Sequence, residues 1–301
     1  MKLVACKRIT RAISSLLHHT PSIFKGVHYK DRIIINAYTK IKWGKICHQN
    51  WGDDINYYFI QNITNKKIII FSNSLLSYLF FQTNYLCIGS TIQRLVNSKT
   101  IIWGSGVISD KAKLSVKPKK VLAVRGPLTR KYLLERNIEC PEVYGDPALL
   151  LSKYYNPIVT KKYKLGIIPH YADQDNIYLR DFLKKNKDSV KYIDLVHYLD
   201  WHEIIDQICE CEFIVSSSLH GIIISDSYKI PNYWIEFSKK VAGNGFKFFD
   251  YFASVHRNNI SHPFSIDSHI HLDDLLSLKV NWNEPVIDLD RLLEVCPFKD
   301  L

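Results

Sequence analysis

His220 stands in a setting that suits acid–base chemistry. It follows three serines and precedes a glycine in residues 216–221, Ser-Ser-Ser-Leu-His-Gly. A short β-branched segment ends just before this run, and apolar residues at helical spacing follow it, which predicts a strand, a tight turn and a helix. The first backbone N–H groups of such a helix bind anions, and imidazole exchanges a proton near neutral pH. The alternative is a serine cap beside a half-buried histidine that has no chemical role.

Arg125 is a second candidate. It stands at the end of an apolar segment, residues 121–125, and is followed by Gly126 and by Pro127, which begins a predicted helix. The planar guanidinium group suits phosphate or carboxylate, whereas a structural arginine is more often on a solvated helix face. We therefore favour anion binding for this residue.

Two adjacent aspartates, Asp53 and Asp54, lie in residues 50–56, Asn-Trp-Gly-Asp-Asp-Ile-Asn. Either one is suited to cap the helix that follows, and the default expectation is that one of them does so. The other is then available to accept a proton from a hydroxyl group. Gly52 allows a ligand to approach the backbone closely.

These residues require elements that bring them together. Apolar segments that read as strands occupy residues 33–38, 67–71, 85–90, 100–109 and 121–125, and several end in small residues such as Gly104, Ser105 and Gly106. Parallel strands place their carboxyl ends at one edge of a sheet, where ligands bind. This half of the chain is therefore predicted to be an α/β domain whose loops line a binding crevice.

A second α/β run follows a polar linker at residues 153–162. Its predicted strands are residues 164–170, 190–195, 213–215 and 231–236; its predicted helices are residues 202–210 and 246–252. His170 ends the first of these strands and Lys247 stands near the start of the last helix. The predicted organisation is a basic segment at 1–30, one α/β domain at 31–155 and a second at 163–301.

The charge favours acidic partners, because forty lysines and arginines against twenty-nine acidic residues give a net charge of +11. Phosphorylated small molecules and an anionic membrane surface are candidates. Nucleic acid is not expected, since no helix-turn-helix, zinc-finger spacing or basic run with stacking aromatics is present. Seven scattered cysteines indicate a reducing, cytoplasmic location.

Several other site classes are not supported. Neither a dinucleotide fingerprint nor a P-loop occurs, and we expect no metal at Cys209 and Cys211 or at His269 and His271, which lack a second ligand pair. No secretion signal or membrane span is expected at the amino terminus. Residues 9–17 have apolar residues at helical spacing among basic ones, which indicates either a membrane-surface helix or, as we prefer, an ordinary packed helix.

Six motifs, taken in order, resemble the polysaccharide pyruvyl transferase family, and in particular the bacterial exopolysaccharide ketal-pyruvate transferases. They are residues 50–56, 103–106 (Trp-Gly-Ser-Gly), 124–129 (Val-Arg-Gly-Pro-Leu-Thr), 145–147 (Gly-Asp-Pro), 216–221, and 247–252 (Lys-Phe-Phe-Asp-Tyr-Phe). The resemblance runs from about residue 31 to residue 255.

This resemblance implies two Rossmann-like α/β domains facing across a cleft, as in glycosyltransferase-B enzymes, with the acceptor on the first domain and the donor on the second. It implies transfer of the pyruvyl group of phosphoenolpyruvate onto two hydroxyls of one sugar, in a surface polysaccharide or its lipid-linked precursor. The products are a cyclic ketal and phosphate. Phosphoenolpyruvate is the co-substrate, and no other cofactor is implied.

The resemblance also assigns residues. Arg125 matches a donor-binding arginine, and His220 matches the histidine at the reaction centre. The family often has a second donor-binding arginine where this chain has Ser218, so other groups must hold the donor. The candidates are Ser217, Ser218, Leu219, Gly221, His170 and Lys247.

The chemistry requires an acid, a base and binding groups for two anions. We expect His220, as imidazolium, to be the acid, and Asp53 or Asp54 to be the base. The loop residues expected to line the cleft are Asn50, Gly52, Gly104, Ser105 and Gly106. Two alternatives stay open: a glycosyltransferase that uses a nucleotide sugar, and a carbohydrate-binding protein without catalysis.

Overall fold

The computed structural model describes residues 32–42, 45–47, 50–73, 82–238, 241–266 and 270–299. The predicted basic amphipathic helix of the first thirty residues lies outside these ranges, as do Cys6 and His269. Among the described residues, no helix is both long enough and apolar enough to cross a bilayer.

The first half of the described chain contains a parallel sheet. Its strands are β1 (Arg32–Ile35), β4 (Lys67–Ile70), β5 (Asn84–Leu86), β6 (Thr100–Trp103) and β7 (Lys120–Ala123), in the order β4-β1-β5-β6-β7. A hairpin of β2 (Lys40–Lys42) and β3 (Lys45–Cys47) precedes helix α1 (Trp51–Thr64). Helices α2 (Ile92–Leu95) and α3 (Pro127–Leu134) follow β5 and β7, and α4 (Leu151–Tyr154) ends this half.

The second half repeats the same architecture. Its strands are β8 (Leu165–Ile168), β9 (Val190–Tyr192), β10 (Ile214–Ser216), β11 (Asn232–Glu236) and β12 (Phe264–Ser265), in the order β12-β11-β10-β8-β9. The helices are α5 (Ile177–Lys185), α6 (Trp201–Cys209), α7 (Leu219–Ser227), α8 (Phe246–Ser254), α9 (Leu272–Ser277) and α10 (Leu289–Glu294). Residues 155–162, within the predicted linker, form no helix or strand.

Strand order locates the expected ligand position in each sheet. When the strands of each sheet are counted along the chain, both sheets have the order 2-1-3-4-5, which is that of flavodoxin-like folds. In such sheets the chain winds in opposite directions from the first and third strands, which leaves a crevice at their carboxyl ends. These switch points fall between β1 and β5 in the first sheet and between β8 and β10 in the second.

The two sheets share one hydrophobic core. Trp51 and Phe59 of α1 belong to the same buried cluster as Ile204 of α6 and Ile222 of α7. The last helix, α10, returns to the first half, where the backbone carbonyl of Leu292 accepts a hydrogen bond from Trp103 Nε1 at 3.0 Å. The halves are thus in contact over buried apolar surface. The predicted domain boundaries stay a prediction.

Several strands are shorter than the sequence predicts. Those expected at residues 33–38, 85–90, 100–109 and 190–195 end at Ile35, Leu86, Trp103 and Tyr192. The residues beyond these points remain largely buried but leave the sheet as loops. Apolar character alone does not distinguish a strand from a buried loop, and these loops build the site.

Candidate active site

The imidazole of His220 packs directly on Gly52. His220 lies in the first turn of α7, and Gly52 lies in the first turn of α1. The ring atoms of His220 occupy the position that a β-carbon on Gly52 would need. Only glycine fits there, and the contact joins the start of a helix in each half of the chain.

The start of α1 is organised by Asn50, which caps the helix. The Asn50 side chain accepts a hydrogen bond from Gly52 N at 3.2 Å and donates one to Asp53 Oδ2 at 2.9 Å. The expectation that an aspartate caps this helix is therefore wrong. Asparagine is an equally good cap because its side-chain oxygen reaches the same amides.

The two aspartates differ in their surroundings. Asp54 is buried, and its Oδ2 accepts a hydrogen bond from Tyr198 of the second half at 2.8 Å. Asp53 keeps part of its residue surface exposed, but its carboxyl group is enclosed by the protein. Burial, and next the charge of Asp54, raise the pKa of Asp53 from 3.8 to about 6, against the opposing effects of Asn50 and Lys247. Asp53 is thus the aspartate suited to proton exchange near neutral pH.

Lys247 is a buried cation in the first turn of α8. It is 8% exposed, and its ammonium group makes no hydrogen bond or ion pair within the described residues. The nitrogen of this group lies 5.4 Å from the centroid of the Phe248 ring. Burial, with the charge of Arg125, lowers its pKa from 10.5 to about 8, while Asp53 acts in the opposite direction. A desolvated cation of this kind is suited to bind an anionic ligand.

His220 is neutral in the ligand-free site. Burial, and next the positive charge of Lys247 with smaller effects of His170 and Arg125, lower its pKa from 6.5 to about 3. The expected imidazolium is therefore not present before a ligand binds. An anion bound against the same cations raises this pKa, since opposite charge favours the protonated form.

Arg125 is completely buried in an ion pair. Its Nε donates to Asp250 Oδ2 at 3.0 Å, while its two terminal nitrogens donate to Ser90 Oγ at 2.6 Å and to the Val107 carbonyl at 2.9 Å. The guanidinium plane packs on Gly106, where a β-carbon would overlap it. Arg125 thus holds the end of β7 to α8. Its charge still reaches His220 and Lys247, whose pKa values it lowers.

The three serines before His220 have different roles. Ser216 Oγ bonds to backbone carbonyls at Ile168 and Ser218, and Ser217 Oγ accepts from His170 N at 2.8 Å and donates to Asp173 Oδ2 at 3.1 Å. The Ser217 hydroxyl is thus already engaged. Ser218 Oγ has no hydrogen-bond partner among the described residues, so it is the serine hydroxyl left for a ligand.

The start of α7 offers backbone donors as well. No hydrogen bond from the amides of Leu219, His220 and Gly221 to another described residue is formed, because the chain before the helix is extended. The Leu219 side chain is buried in the core. A β-carbon on Gly221 would overlap Ser216 Oγ, so this glycine serves the packing of α7 on β10. Leu219 and Gly221 are therefore left with only their backbone amides to offer a ligand.

The remaining loop residues predicted to line the cleft have packing and hydrogen-bonding roles. Gly104 has a φ of +91°, and a β-carbon there would overlap Pro147; Ser105 is fully buried and donates to the Gly89 carbonyl at 2.8 Å. Asp146 caps the short helix Pro147–Leu150, as predicted, through Ala148 N at 3.0 Å. Its Oδ2 is buried without a hydrogen-bond partner among the described residues, and burial raises its pKa to about 6.

Three residues of the site, Ser90, Asp173 and Asp250, were not predicted from the sequence. Asp250 falls inside the quoted motif at residues 247–252, so its position was available, but its partner was not. Nothing in the local pattern marks Asp173 or Ser90 as more than loop residues. Their roles appear only where the carboxyl ends of the strands come together.

A cavity of about 420 Å³ lies elsewhere, at the start of β7. Its lining includes the exposed lysines Lys117, Lys119 and Lys120 but no histidine or aspartate. These three lysines are exposed to solvent. We therefore assign the chemistry to the cluster around His220.

The site therefore unites both switch points. Asp53 comes from the first half, whereas His170, His220 and Lys247 come from the second, and the charges of these residues affect one another's pKa values. The arrangement offers a carboxylate that accepts a proton (Asp53), a cation without an ion-pair partner among the described residues (Lys247) and two neutral imidazoles. It also offers the backbone amides at the start of α7, which make no hydrogen bond to another described residue. This set suits a reaction of a small anionic substrate with a hydroxyl group.

Two comparisons with known proteins give matches to this chain. The family model described as polysaccharide pyruvyl transferase matches residues 35–238. The chain is also similar to an uncharacterized protein of Acanthamoeba polyphaga mimivirus, with 29% identity over 255 residues that cover 81% of this chain and 83% of that protein. The matched residues include Asp53, Arg125, His170 and His220, while Lys247 follows them.

Proposed function

The chain belongs to the polysaccharide pyruvyl transferase family, and from this premise we propose that it transfers the pyruvyl group of phosphoenolpyruvate onto two hydroxyls of one sugar. The products are a cyclic ketal and inorganic phosphate. The acceptor is a sugar of a surface polysaccharide or of its lipid-linked precursor. The observation that supports this most is the unpaired Lys247 beside His220 and Asp53.

The proposed reaction balances without a further reactant. One sugar hydroxyl adds to C2 of phosphoenolpyruvate while C3 takes a proton and becomes the methyl group. The C2–O bond to phosphate then breaks, and the second hydroxyl adds to C2 and closes the ring. Of the two hydroxyl protons, one is equivalent to the proton gained by C3 and the other leaves with phosphate.

Lys247 is the proposed principal donor-binding residue. Its positive charge acts on His220, and the amides at the start of α7 and Ser218 Oγ, which make no hydrogen bond to another described residue, adjoin His220 in the chain. Phosphate and carboxylate both take hydrogen bonds from such groups. Arg125 contributes positive potential from its buried ion pair with Asp250, and any direct contact with the donor would use its remaining N–H.

Asp53 and His220 are the proposed base and acid. Asp53, with a pKa of about 6, is ionised at neutral pH and accepts the proton of the attacking hydroxyl. His220 takes up a proton when the donor's negative charge enters the site, because that charge raises its low pKa. The protonated ring then delivers the proton to C3.

The net charge of +11 supports a further proposal, that the protein works at an anionic membrane surface.

The test is phosphate release from phosphoenolpyruvate in the presence of lipid-linked or synthetic sugar acceptors. We expect release that depends on the acceptor and is lost in His220→Ala, whose folding is checked by circular dichroism. Thermal stabilisation by phosphoenolpyruvate and by nucleoside diphosphates is compared in parallel, since a ligand stabilises only the state that it binds. Stabilisation by a nucleoside diphosphate alone, with no phosphate released on any acceptor, would contradict the proposal in favour of a glycosyltransferase.

A further inference from the structure

We propose that His170 is a neutral hydrogen-bond donor to the phosphate or carboxylate of the donor substrate, and that Asp173 is the positioning residue that fixes it. The inference rests on the proposed function for the identity of the ligand. His170 lies at the switch point of the second sheet, after β8 and beside the end of β10.

The ring of His170 is held in one tautomer. Its Nδ1 accepts a hydrogen bond from the backbone amide of Ala172 at 3.2 Å, which caps the short helix Tyr171–Asp173. A neutral imidazole that accepts at Nδ1 has its proton at Nε2. The Tyr171 ring packs on the imidazole with centroids 4.1 Å apart and an interplanar angle of 35°, which restricts rotation of the ring.

The backbone of His170 is held as firmly as its ring. His170 N donates to Ser217 Oγ at 2.8 Å, and Ser217 Oγ donates to Asp173 Oδ2 at 3.1 Å. Asp173 N in turn donates to the His170 carbonyl at 2.8 Å. Asp173 is 3% exposed, and its other carboxylate oxygen accepts from Ser238 Oγ. The carboxylate therefore ties the loop of β8 to the loop of His220.

Burial, together with one nearby positive charge, keeps His170 neutral. Burial lowers its pKa to about 4, and the positive charge of Lys247 contributes to the decrease. The other titratable groups of this side of the site are His220, itself neutral, and Asp173, whose oxygens are already engaged. His170 Nε2 has no hydrogen-bond partner among the described residues, which leaves its proton for a ligand.

A neutral donor next to a cation has a clear use. Lys247 supplies charge to a bound anion, while an N–H at a fixed position adds a directed hydrogen bond without the cost of a second buried cation. A phosphate ester with several oxygens takes both contacts at once. The geometry thus assigns His170 to orientation of the donor and leaves proton transfer to His220.

The test is ¹⁵N NMR of the full chain labelled at histidine, with the His170 signals assigned by comparison with His170→Gln. We expect a neutral ring with its proton on Nε2 at pH 7, and a change in the His170 signals on saturation with phosphoenolpyruvate. A proton on Nδ1, or a cationic ring in the free protein, would overturn the inference. Changes at His220 without any at His170 would also overturn it and would leave the proposed function standing. No change at either histidine, with no acceptor-dependent phosphate release, would count against both.

Variants supply an independent measurement of donor affinity. His170→Ala is expected to weaken phosphoenolpyruvate binding about tenfold or more, as for loss of a hydrogen bond to a charged group, with a smaller effect on turnover at saturation. His170→Gln, whose amide can donate from the position of Nε2, is expected to stay within roughly threefold of the wild type. The control is His197→Ala, which removes a histidine that is 79% exposed. Equal affinity in His170→Ala and the wild type would contradict the proposal.

Asp173→Asn tests the positioning role. We expect His170 to lose its single tautomer in the ¹⁵N spectrum and phosphoenolpyruvate binding to weaken several-fold, because the carboxylate no longer orders Ser217. Asp173→Glu, which keeps the charge, is expected to recover part of the affinity. A variant that unfolds more easily yet keeps both the tautomer and the affinity would show a purely structural role and would overturn the assignment of Asp173.

Discussion

The imidazole of His220 lies against the α-carbon of Gly52, in the space that any side chain at position 52 would fill. This contact places the start of α1 and the start of α7 on the two sides of one site. It also makes the position of the histidine depend on a residue of the other half of the chain. A β-carbon at position 52 would overlap the ring atoms of His220. The single methyl group of an alanine there is therefore enough to displace the imidazole.

Gly52→Ala is therefore expected to reduce turnover by about 100-fold or more, since a displacement of about 1 Å in a reacting group costs that much. Alanine favours a helix interior over glycine by about 1 kcal/mol, so the loss does not require an unstable α1. Steady-state phosphate release and thermal unfolding measure the two effects. Gln61→Ala, on the exposed side of α1, is the control, and full activity in Gly52→Ala would refute the placement of His220.

Lys247 is expected to set the alkaline limit of donor binding. Its pKa is lowered to about 8, chiefly by burial, so the cation that binds the donor is lost as the pH rises through about 8. Lys247→Arg, which stays charged, should move this limit to higher pH, while Lys247→Met should remove most of the affinity. Calorimetric titration with phosphoenolpyruvate from pH 6 to 9.5 measures this, with the exposed Lys153→Met as control. If donor binding by Lys247→Arg were lost at the same pH as in the wild type, the alkaline limit would belong to a group other than Lys247.

Asp53→Asn is expected to abolish most activity and to stabilise the fold. The folded pKa of Asp53, about 6, lies above its unfolded value of 3.8, so ionisation costs folding free energy that grows from pH 4 to 6 and is constant above. Removing that cost should raise the free energy of unfolding by about 1–3 kcal/mol at pH 7.5 and by less at pH 5. Turnover should fall about 10²–10⁴-fold.

Urea denaturation at the two pH values measures the stability of Asp53→Asn. The comparison variant is Asp54→Asn, which changes the buried partner of Tyr198 and is expected to destabilise the protein. A loss of stability in Asp53→Asn at pH 7.5 would contradict the raised pKa.

Arg125→Ala is expected to destabilise the protein as well as weaken donor binding. The change leaves the buried carboxylate of Asp250 without its cation, which typically costs about 3–5 kcal/mol. The exposed pair of Lys153 and Asp290 gives a matched comparison, since Lys153→Ala should cost less than about 1 kcal/mol. Urea denaturation distinguishes the two cases, and equal costs would show that the Arg125 pair is not buried in solution.

Local sequence patterns were sufficient to predict most of the strands and one of the helix starts. Apolar β-branched runs ended by small residues predicted most of the strands, and Asp146 before Pro147 predicted a capped helix start. Six short motifs, taken in order, predicted the family, which the match over residues 35–238 confirms. Each of these features depends on residues within one or two turns of the chain, so no tertiary information is needed to recognise it.

Charge state and hydrogen-bond partners were decided by the folded structure. The pKa of His220 is lowered first by burial and then by the charges of Lys247, His170 and Arg125, so the ring is neutral. Arg125 is engaged because α8 brings Asp250 against the end of β7. Asn50, not an aspartate, caps α1, and this choice depends on which side chain the loop turns towards the amides. These outcomes depend on groups far apart in the chain, and desolvation and Coulomb terms act through space. The residue types that do chemistry can thus be recognised in the chain, whereas their protonation and their partners follow only from tertiary contacts.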